Sequence, residues 1–202
     1  MAKLIGSIHK KTGFETVGHA TICKMFQELL KPHGQSFVWY QPKISDGNGR
    51  GPQPDFLLYT PWLGLLILEV RDWALLALKS FTDQEIRLEN NGIIGIAANP
   101  LDLARRAAEA LQERISIWPE LRVHTGLVFT AIIRDNFAFH GMHASFGGAI
   151  HVIFAEDIQA KGRLTKDRSG STLKRIFCHM FQPQPLPLKL TAEALAETLK
   201  IS

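Results

Sequence analysis

The sequence contains few cysteines and no long apolar segment. Its two cysteines, Cys23 and Cys178, are far apart. They do not form the kind of pattern that builds a disulfide framework, so we expect a reducing compartment and a cytoplasmic location. The longest apolar run, Phe56 to Val70, is interrupted by Pro61 and is too short to cross a bilayer. No apolar core of the signal-peptide type occurs near the N-terminus, and we therefore expect no membrane partner.

Signature motifs of several enzyme classes are also missing. The sequence has no Gly-x-x-x-x-Gly-Lys-Ser/Thr motif, which excludes a P-loop motor within this chain. It has no Cys-x-x-Cys pair and no nucleophile elbow, which argues against a structural zinc site and against acyl transfer. We interpret the histidines and cysteines that lie near one another in the sequence as packed or surface residues: His19, Cys23, His140, His143 and His151.

Charge and hydrophobicity are those of an ordinary folded domain. Hydrophobic residues make up 46% of the chain and charged residues 21%, which argues against disorder. The net charge of +4 is moderately basic and is compatible with a polyanionic partner. A chain of 202 residues is long enough for one domain with a sizeable core, alone or with a small appendage.

The most informative stretch runs from Pro54 to Trp73. Two apolar runs are separated there by a Pro-Trp-Leu-Gly turn, which predicts an antiparallel hairpin in a buried sheet. Asp55 opens the first strand and Glu69 closes the second, so the two acids are expected to lie side by side at one end. Arg71 lies two residues after Glu69 and projects to the same face. Two adjacent carboxylates repel one another unless a cation lies between them, and a divalent metal ion is the usual solution.

These residues resemble a known nuclease signature. Pro54-Asp55 followed by Glu69-Val70-Arg71 is similar to the active-site motif of the PD-(D/E)xK nuclease superfamily. More narrowly, the stretch resembles the NERD (nuclease-related) domain, of the kind found N-terminal to superfamily 1 helicases. Gly13-Phe14-Glu15 and Ala98-Asn99-Pro100-Leu101 are similar to further segments of that family.

The resemblance implies a metal-dependent nuclease that hydrolyses phosphodiester bonds in DNA during processing or repair. It implies that Asp55 and Glu69 bind Mg²⁺ or Mn²⁺ and that the Val70 carbonyl adds a ligand. It further implies that Arg71 takes part in catalysis and that Glu15 reaches the site from the first helix. The implied partners are DNA and a superfamily 1 helicase, in cis or in trans.

Two departures from the family pattern leave alternatives open. Arg71 stands where the family has a lysine, and Leu103 where it often has a glutamine. A guanidinium stays charged and cannot act as a base, so the alternative function is a catalytically inactive nucleic-acid-binding or docking module. For the cluster itself, the alternative is a surface salt bridge between Glu69 and Arg71, with Asp55 capping a turn. For Glu15, it is a capping box with Thr12.

Basic residues suggest a surface for nucleic acid. The candidate contacts are Arg50, Arg105, Arg106, Lys161, Arg163, Lys166 and Arg168. The run from Lys161 to Arg175 is more typical of an exposed, solvated face, and contact with a phosphate backbone is the alternative. The glycine-rich segment 46–53 is predicted to be a turn beside the acids rather than a phosphate-binding loop, because a strand and no Gly-Lys-Ser/Thr follows it.

The remaining pattern predicts an α/β fold, with a restriction-endonuclease-like mixed central sheet flanked by helices. The sequence predicts helices at 13–31, 100–118 and 191–200, and a further helix that starts at Ala155. Besides the hairpin, it predicts strands at 36–41, 75–78, 86–89, 93–97, 123–133 and 150–154. We expect residues 1–181 to form the nuclease-like domain and residues 182–202 to form a proline-containing linker and a short C-terminal helix.

Overall fold

A computed structural model describes residues 3–5, 16–29, 35–45, 51–82, 84–135, 152–159 and 190–201. Its strands, in chain order, are β1 (Lys3–Ile5), β2 (Phe37–Tyr40), β3 (Phe56–Thr60), β4 (Gly64–Arg71), β5 (Leu78–Phe81), β6 (Glu85–Asn90), β7 (Ile93–Ala98), β8 (Val123–Phe129) and β9 (Val152–Ile153). Its helices are α1 (Val17–Leu29), α2 (Pro100–Gln112), α3 (Ala155–Gln159) and α4 (Ala192–Leu199).

The centre of the fold is a six-stranded mixed sheet in the order β1-β2-β3-β4-β8-β9. The hairpin β3–β4 is antiparallel, as its sequence predicts, and Phe56 pairs with Leu68 in its register. Strands β4 and β8 are parallel, and α2 lies in the crossover between them. This α/β architecture, a mixed sheet flanked by helices, confirms the predicted fold class.

Strand alternation divides the core into two layers. Side chains of one parity, including Phe56 and Leu68, pack under α1 together with Ile22 and Phe26. Side chains of the other parity, including Leu57 and Ile67, pack under α2 and α4. The hairpin is therefore buried on both faces, which explains why its strands are continuous apolar runs.

A second sheet corrects the expectation of a single one. Strands β5, β6 and β7 form a separate three-stranded antiparallel sheet. The hairpin β6–β7 is present as predicted, with Asn91 and Gly92 at its turn in positive-φ conformations. The predicted strand 75–78 is wrong in its first part, because Leu75–Ala77 forms a turn of 3₁₀ helix and the strand starts only at Leu78.

Two helix boundaries also differ from the prediction. Helix α1 is described from Val17 and does not include Thr16, whereas residues 12–15 lie outside the described residues. Asn99 caps α2 by accepting a hydrogen bond from the Leu101 amide, but α2 ends at Gln112. A short 3₁₀ segment, Arg114–Ile117, follows it in place of the predicted continuation to Trp118.

At the other end of the chain, Thr191 caps α4, which packs into the core layer of α2. Residues 160–189 lie outside the described part, so the division into residues 1–181 and 182–202 stays a prediction. None of the helices that the structure describes is both long and apolar enough to span a membrane.

Candidate functional site

The two predicted acids meet at one end of the central hairpin. The β3–β4 register pairs Phe56 with Leu68, and one further step places Asp55 opposite Glu69. Both residues are buried, with 8% and 3% of their surface exposed. The hairpin geometry therefore brings together two carboxylates that are fourteen positions apart in the sequence.

Arg71 joins the two acids. Its Nη1 atom donates to Oδ2 of Asp55 at 2.7 Å, and its Nη2 atom donates to Oε2 of Glu69 at 2.8 Å. Nη1 also donates to the Val70 carbonyl oxygen at 2.6 Å. The guanidinium lies 5.7 Å from the centre of the Trp73 ring, within cation–π range. The Arg71 guanidinium thus contacts all three groups that the family resemblance implies as metal ligands: Asp55, Glu69 and the Val70 carbonyl.

Asp55 is held from two further directions. The Val70 amide donates to its Oδ2 atom at 2.8 Å. The imidazole of His19, on α1, brings Nε2 to within 3.2 Å of Oδ1. This contact is short, but it lacks the alignment of a well-formed hydrogen bond. The other ring nitrogen of His19 lies 3.0 Å from the Thr16 hydroxyl.

The environment drives the pKa values of the two acids apart. Burial alone would raise the pKa of Asp55, but the His19 contact, the Arg71 charge and the Val70 amide together lower it. Burial, followed by the charge of Asp55, raises the pKa of Glu69 from 4.5 to about 8, and Arg71 offsets only part of that rise. Such a pair of carboxyl groups, one ionised and one readily protonated, is typical of functional sites.

Asp72 fastens α1 to this end of the sheet. Its Oδ2 atom accepts a hydrogen bond from the Gly18 amide at 2.8 Å, and its other oxygen accepts one from the Thr130 hydroxyl. Burial raises the pKa of Asp72, but the hydrogen bonds from Thr130, Thr16 and Gly18 outweigh it and lower the pKa overall. Because His19 follows Gly18 directly, Asp72 also fixes the position of the imidazole.

A cleft of about 230 Å³ opens beside the acids. It is lined by Pro52, Gln53, Pro54, Glu69, Leu103 and Arg106. Leu103, the position where the resembled family often has glutamine, therefore lines the same cleft as Glu69. Arg106 is more than half exposed and pairs with Asp102 at 3.1 Å, so its guanidinium is accessible from the cleft.

The other predicted contacts are placed less favourably or fall outside the described residues. Arg105 is on the same helix as Arg106, but it does not line the cleft and pairs with both Asp102 and Glu109. Glu15, Arg50, Lys161, Arg163, Lys166 and Arg168 all lie outside the described part of the chain, and their roles stay predictions.

The oxygen donors of this site are of the type that binds a hard divalent cation. Within the residues that the structure describes, no three His, Cys, Asp or Glu side chains are grouped to hold a metal ion. The oxygens of Asp55, Glu69 and Val70 nevertheless converge on a single cationic group. Mg²⁺ and Mn²⁺ favour such oxygen donors, and Mg²⁺ needs only one or two protein carboxylates because waters and substrate oxygens complete its shell.

The salt-bridge alternative is partly observed, but it is buried rather than on the surface. Glu69 pairs with Arg71, and the side chains are 4% and 18% exposed. Asp55 does not cap a turn in the described residues; it accepts from the amide of the neighbouring strand.

Sequence reasoning missed His19. His19 was interpreted, with the other histidines, as a packed or surface residue. His19 lies one turn before Ile22 and Cys23, which are on the buried face of α1. That spacing directs the imidazole towards the sheet and could have identified it. Cys23 itself is a buried free thiol, and burial raises its pKa to about 11.

Comparison with models of protein families gives a match. A family model described as "Nuclease-related domain" covers residues 18–130, which is more than half of the chain. The matched segment contains His19, both acids, Arg71 and the start of α2, whereas Gly13–Glu15 lies before it. No curated protein and no solved structure matches the chain at a significant level.

Proposed function

Because the chain belongs to the nuclease-related domain (NERD) family, we propose that its acid cluster hydrolyses phosphodiester bonds in DNA with Mg²⁺ or Mn²⁺. The observation that carries this proposal is the convergence of three oxygens, from Asp55, Glu69 and Val70, on one cationic group. Three oxygen donors that face one cationic group, beside an open cleft, are of the type that a hard metal ion and a phosphate substrate require.

The residues of the site would have distinct roles. Asp55 and Glu69 would hold the ion, and the Val70 carbonyl would add a third ligand. The Val70 amide and His19 would keep Asp55 oriented, because both lie against its carboxylate. A divalent ion bound there supplies charge neutralisation of the scissile phosphate and a lowered pKa for an attacking water.

Arg71 would act on the substrate rather than as a base. A guanidinium stays protonated at any working pH, so it accepts no proton from a water molecule. It does match the geometry of a phosphate, with which it forms paired, charge-assisted hydrogen bonds. After release from the carboxylates, Arg71 would stabilise the negative charge that develops on the phosphate during cleavage.

The cleft supports a path for the nucleic-acid backbone. Arg106 and Glu69 both line it, so a phosphate bound by Arg106 would lie in the same cleft as Glu69. We also propose that the domain acts beside a superfamily 1 helicase in DNA processing or repair, as the family resemblance implies. A cytoplasmic location is proposed from the scarcity of cysteines.

A specific observation favours a second candidate, a nucleic-acid-binding module without catalysis. Arg71 already pairs with both acids within hydrogen-bond distance. If that pairing is permanent, the chain retains the family's fold and cleft without its metal chemistry.

The test is cleavage of labelled single- and double-stranded DNA with Mn²⁺, with Mg²⁺ and with a chelator. We expect metal-dependent products, and we expect Asp55→Asn and Glu69→Gln each to lower the rate about 10²-fold or more. Glu89→Gln is the matched control, since Glu89 pairs with Lys79 on the second sheet, away from the acids. Arg71→Lys is expected to raise the rate by introducing the family's residue.

Two outcomes would count against the proposal. Products that persist in chelator, or that are unchanged in both acid variants, would show that another site or a contaminant is responsible. DNA binding without products in any metal, for the wild type and for Arg71→Lys, would favour the binding module.

A further inference from the structure

Arg71 occupies the place that a metal ion would need. Its guanidinium donates to Asp55, Glu69 and the Val70 carbonyl at 2.6 to 2.8 Å. These are the same three groups that would bind the ion under the proposed function, on which this inference rests. The arginine is therefore a cation built into the chain at the metal site itself.

Two cations cannot share these oxygens at these distances. A metal ion coordinates oxygen more closely than a guanidinium does, at about 2.0–2.1 Å for Mg²⁺. An ion bound to all three groups would lie against the Arg71 nitrogens, with like charges in direct contact and little water between them. We infer that Arg71 and a divalent metal ion compete for the same three oxygens, so that metal binds only after the guanidinium has moved away.

The contacts around Arg71 make this competition substantial. The fork of the guanidinium bridges two carboxylates, and its face lies near the Trp73 ring. Each charge-assisted hydrogen bond is stronger than a neutral one, and both carboxylates are shielded from water. A lysine at position 71, as in the resembled family, would present one ammonium group and would not bridge the acids in this planar way.

Arg71 is the most accessible side chain of the three. Its side chain is 18% exposed, compared with 11% for Asp55 and 4% for Glu69. A phosphodiester group offers it an equivalent bidentate partner. A DNA phosphate would therefore draw Arg71 from the carboxylates and free them for the ion.

Binding of Mn²⁺ in the absence of DNA tests the inference. Titration calorimetry and the Mn²⁺ resonance signal should be measured for the wild type, Arg71→Met and Arg71→Lys. We expect Arg71→Met to bind Mn²⁺ about tenfold or more tightly than the wild type, the range of a typical coupling between two ligands. Arg71→Lys should lie between them. Arg87→Met is the matched control, because it removes an exposed arginine from the second sheet and should leave the affinity unchanged.

Loss of the bridge could unfold the Arg71→Met protein in the absence of metal, so a thermal melt accompanies the titration. The expected result is a larger rise of Tm with Mn²⁺ in both Arg71 variants than in the wild type. If Arg71→Met does not fold, Arg71→Lys alone decides, and an affinity equal to that of the wild type overturns the inference.

Different experimental results would overturn this inference and the proposed function. Equal and tight Mn²⁺ binding by all folded variants, together with metal-dependent cleavage, would overturn the competition and leave the nuclease proposal intact. No Mn²⁺ binding by any folded Arg71 variant, together with no cleavage, would overturn both.

Discussion

The Nε2 atom of His19 lies 3.2 Å from Oδ1 of Asp55. Along β4, Glu69 and Arg71 alternate with the residues that pack under α1, so they lie on the opposite face of the sheet from α1. His19, on α1, therefore reaches Asp55 from the other face. Asp55 is the point at which the two layers of the fold meet. Its carboxylate is consequently fixed on both oxygens, by His19 on one and by Val70 and Arg71 on the other.

His19→Leu is expected to lower the free energy of unfolding by about 1–3 kcal/mol, because a buried carboxylate oxygen loses its polar neighbour. His19→Gln, whose amide nitrogen lies near the position of Nε2, should cost less. Chemical denaturation measures both. Lys24→Ala, an exposed change on the same helix, is the control and should stay within about 0.5 kcal/mol of the wild type. A His19→Leu protein as stable as this control would show that the contact is unimportant.

Gly18→Ala should destabilise the protein, although alanine is favoured over glycine in helices by up to about 1 kcal/mol. A Cβ atom at Gly18 would collide with the Asp72 carboxylate, which is held by Thr130 and by the Gly18 amide itself. Overpacking of this kind costs about 1–3 kcal/mol, measured by denaturation. Gly95→Ala is the matched control, since its Cβ would meet only the Leu88 carbonyl oxygen at 3.9 Å. A gain in stability from Gly18→Ala would contradict the anchoring role of Asp72.

The high pKa of Glu69 predicts a pH dependence of stability in metal-free protein. The folded state holds the Glu69 proton up to a pH of about 8, whereas the unfolded chain releases it near pH 4.5. Between these values the native state binds more protons than the unfolded state, so the contribution of Glu69 to stability falls as the pH rises. It is fully present below pH 4.5 and is lost as the pH passes through 8.

Glu69→Gln removes this titration and keeps the neutral shape. Denaturation at a series of pH values in chelator should therefore show the variant gaining stability relative to the wild type from pH 4.5 to 8. The lowered pKa of Asp55 acts in the other direction and only at acidic pH, because that contribution is lost as the pH falls below the usual 3.8. Parallel curves for the two proteins across the window would show that Glu69 is ionised throughout.

How far the sequence predicts this structure depends on which forces act locally. Hairpins, caps and strand alternation are local, so β3–β4, β6–β7 and the Asn99 cap were predicted. The partner of each strand is a long-range choice, and the separate sheet of β5, β6 and β7 was not predicted. The 3₁₀ turns were also missed, because i to i+3 bonding such as that of Trp118 to Ile115 depends on where the next strand must begin.

In the candidate site, too, the sequence predicted the features that are set locally but not those that depend on long-range packing. Alternation along β4 placed Glu69 and Arg71 on one face, and the hairpin register placed Asp55 beside them. The sequence left open whether a metal ion or Arg71 neutralises the acids, because side-chain rotamers decide that question. The contribution of His19 depends on how α1 crosses the sheet, which is set by packing and by the Asp72–Gly18 bond rather than by residue spacing.

Arg106→Gln should weaken binding of DNA, measured in chelator to prevent cleavage, and should lower the slope of log affinity against log salt by about 1. The reason is that Arg106 lines the same cleft as Glu69. Arg105→Gln is the comparison on the same helix and should have a smaller effect, because Arg105 is held by two acids at 2.5 and 2.6 Å. Equal effects of the two changes would show that the cleft is not the path of the backbone.

The most direct test is a crystal structure of Arg71→Met grown with Mn²⁺, in which anomalous scattering locates the ion. We predict one ion in contact with the Asp55 and Glu69 carboxylates and the Val70 carbonyl oxygen. An ion bound elsewhere, or carboxylates that turn away from one another once the guanidinium is gone, would contradict it.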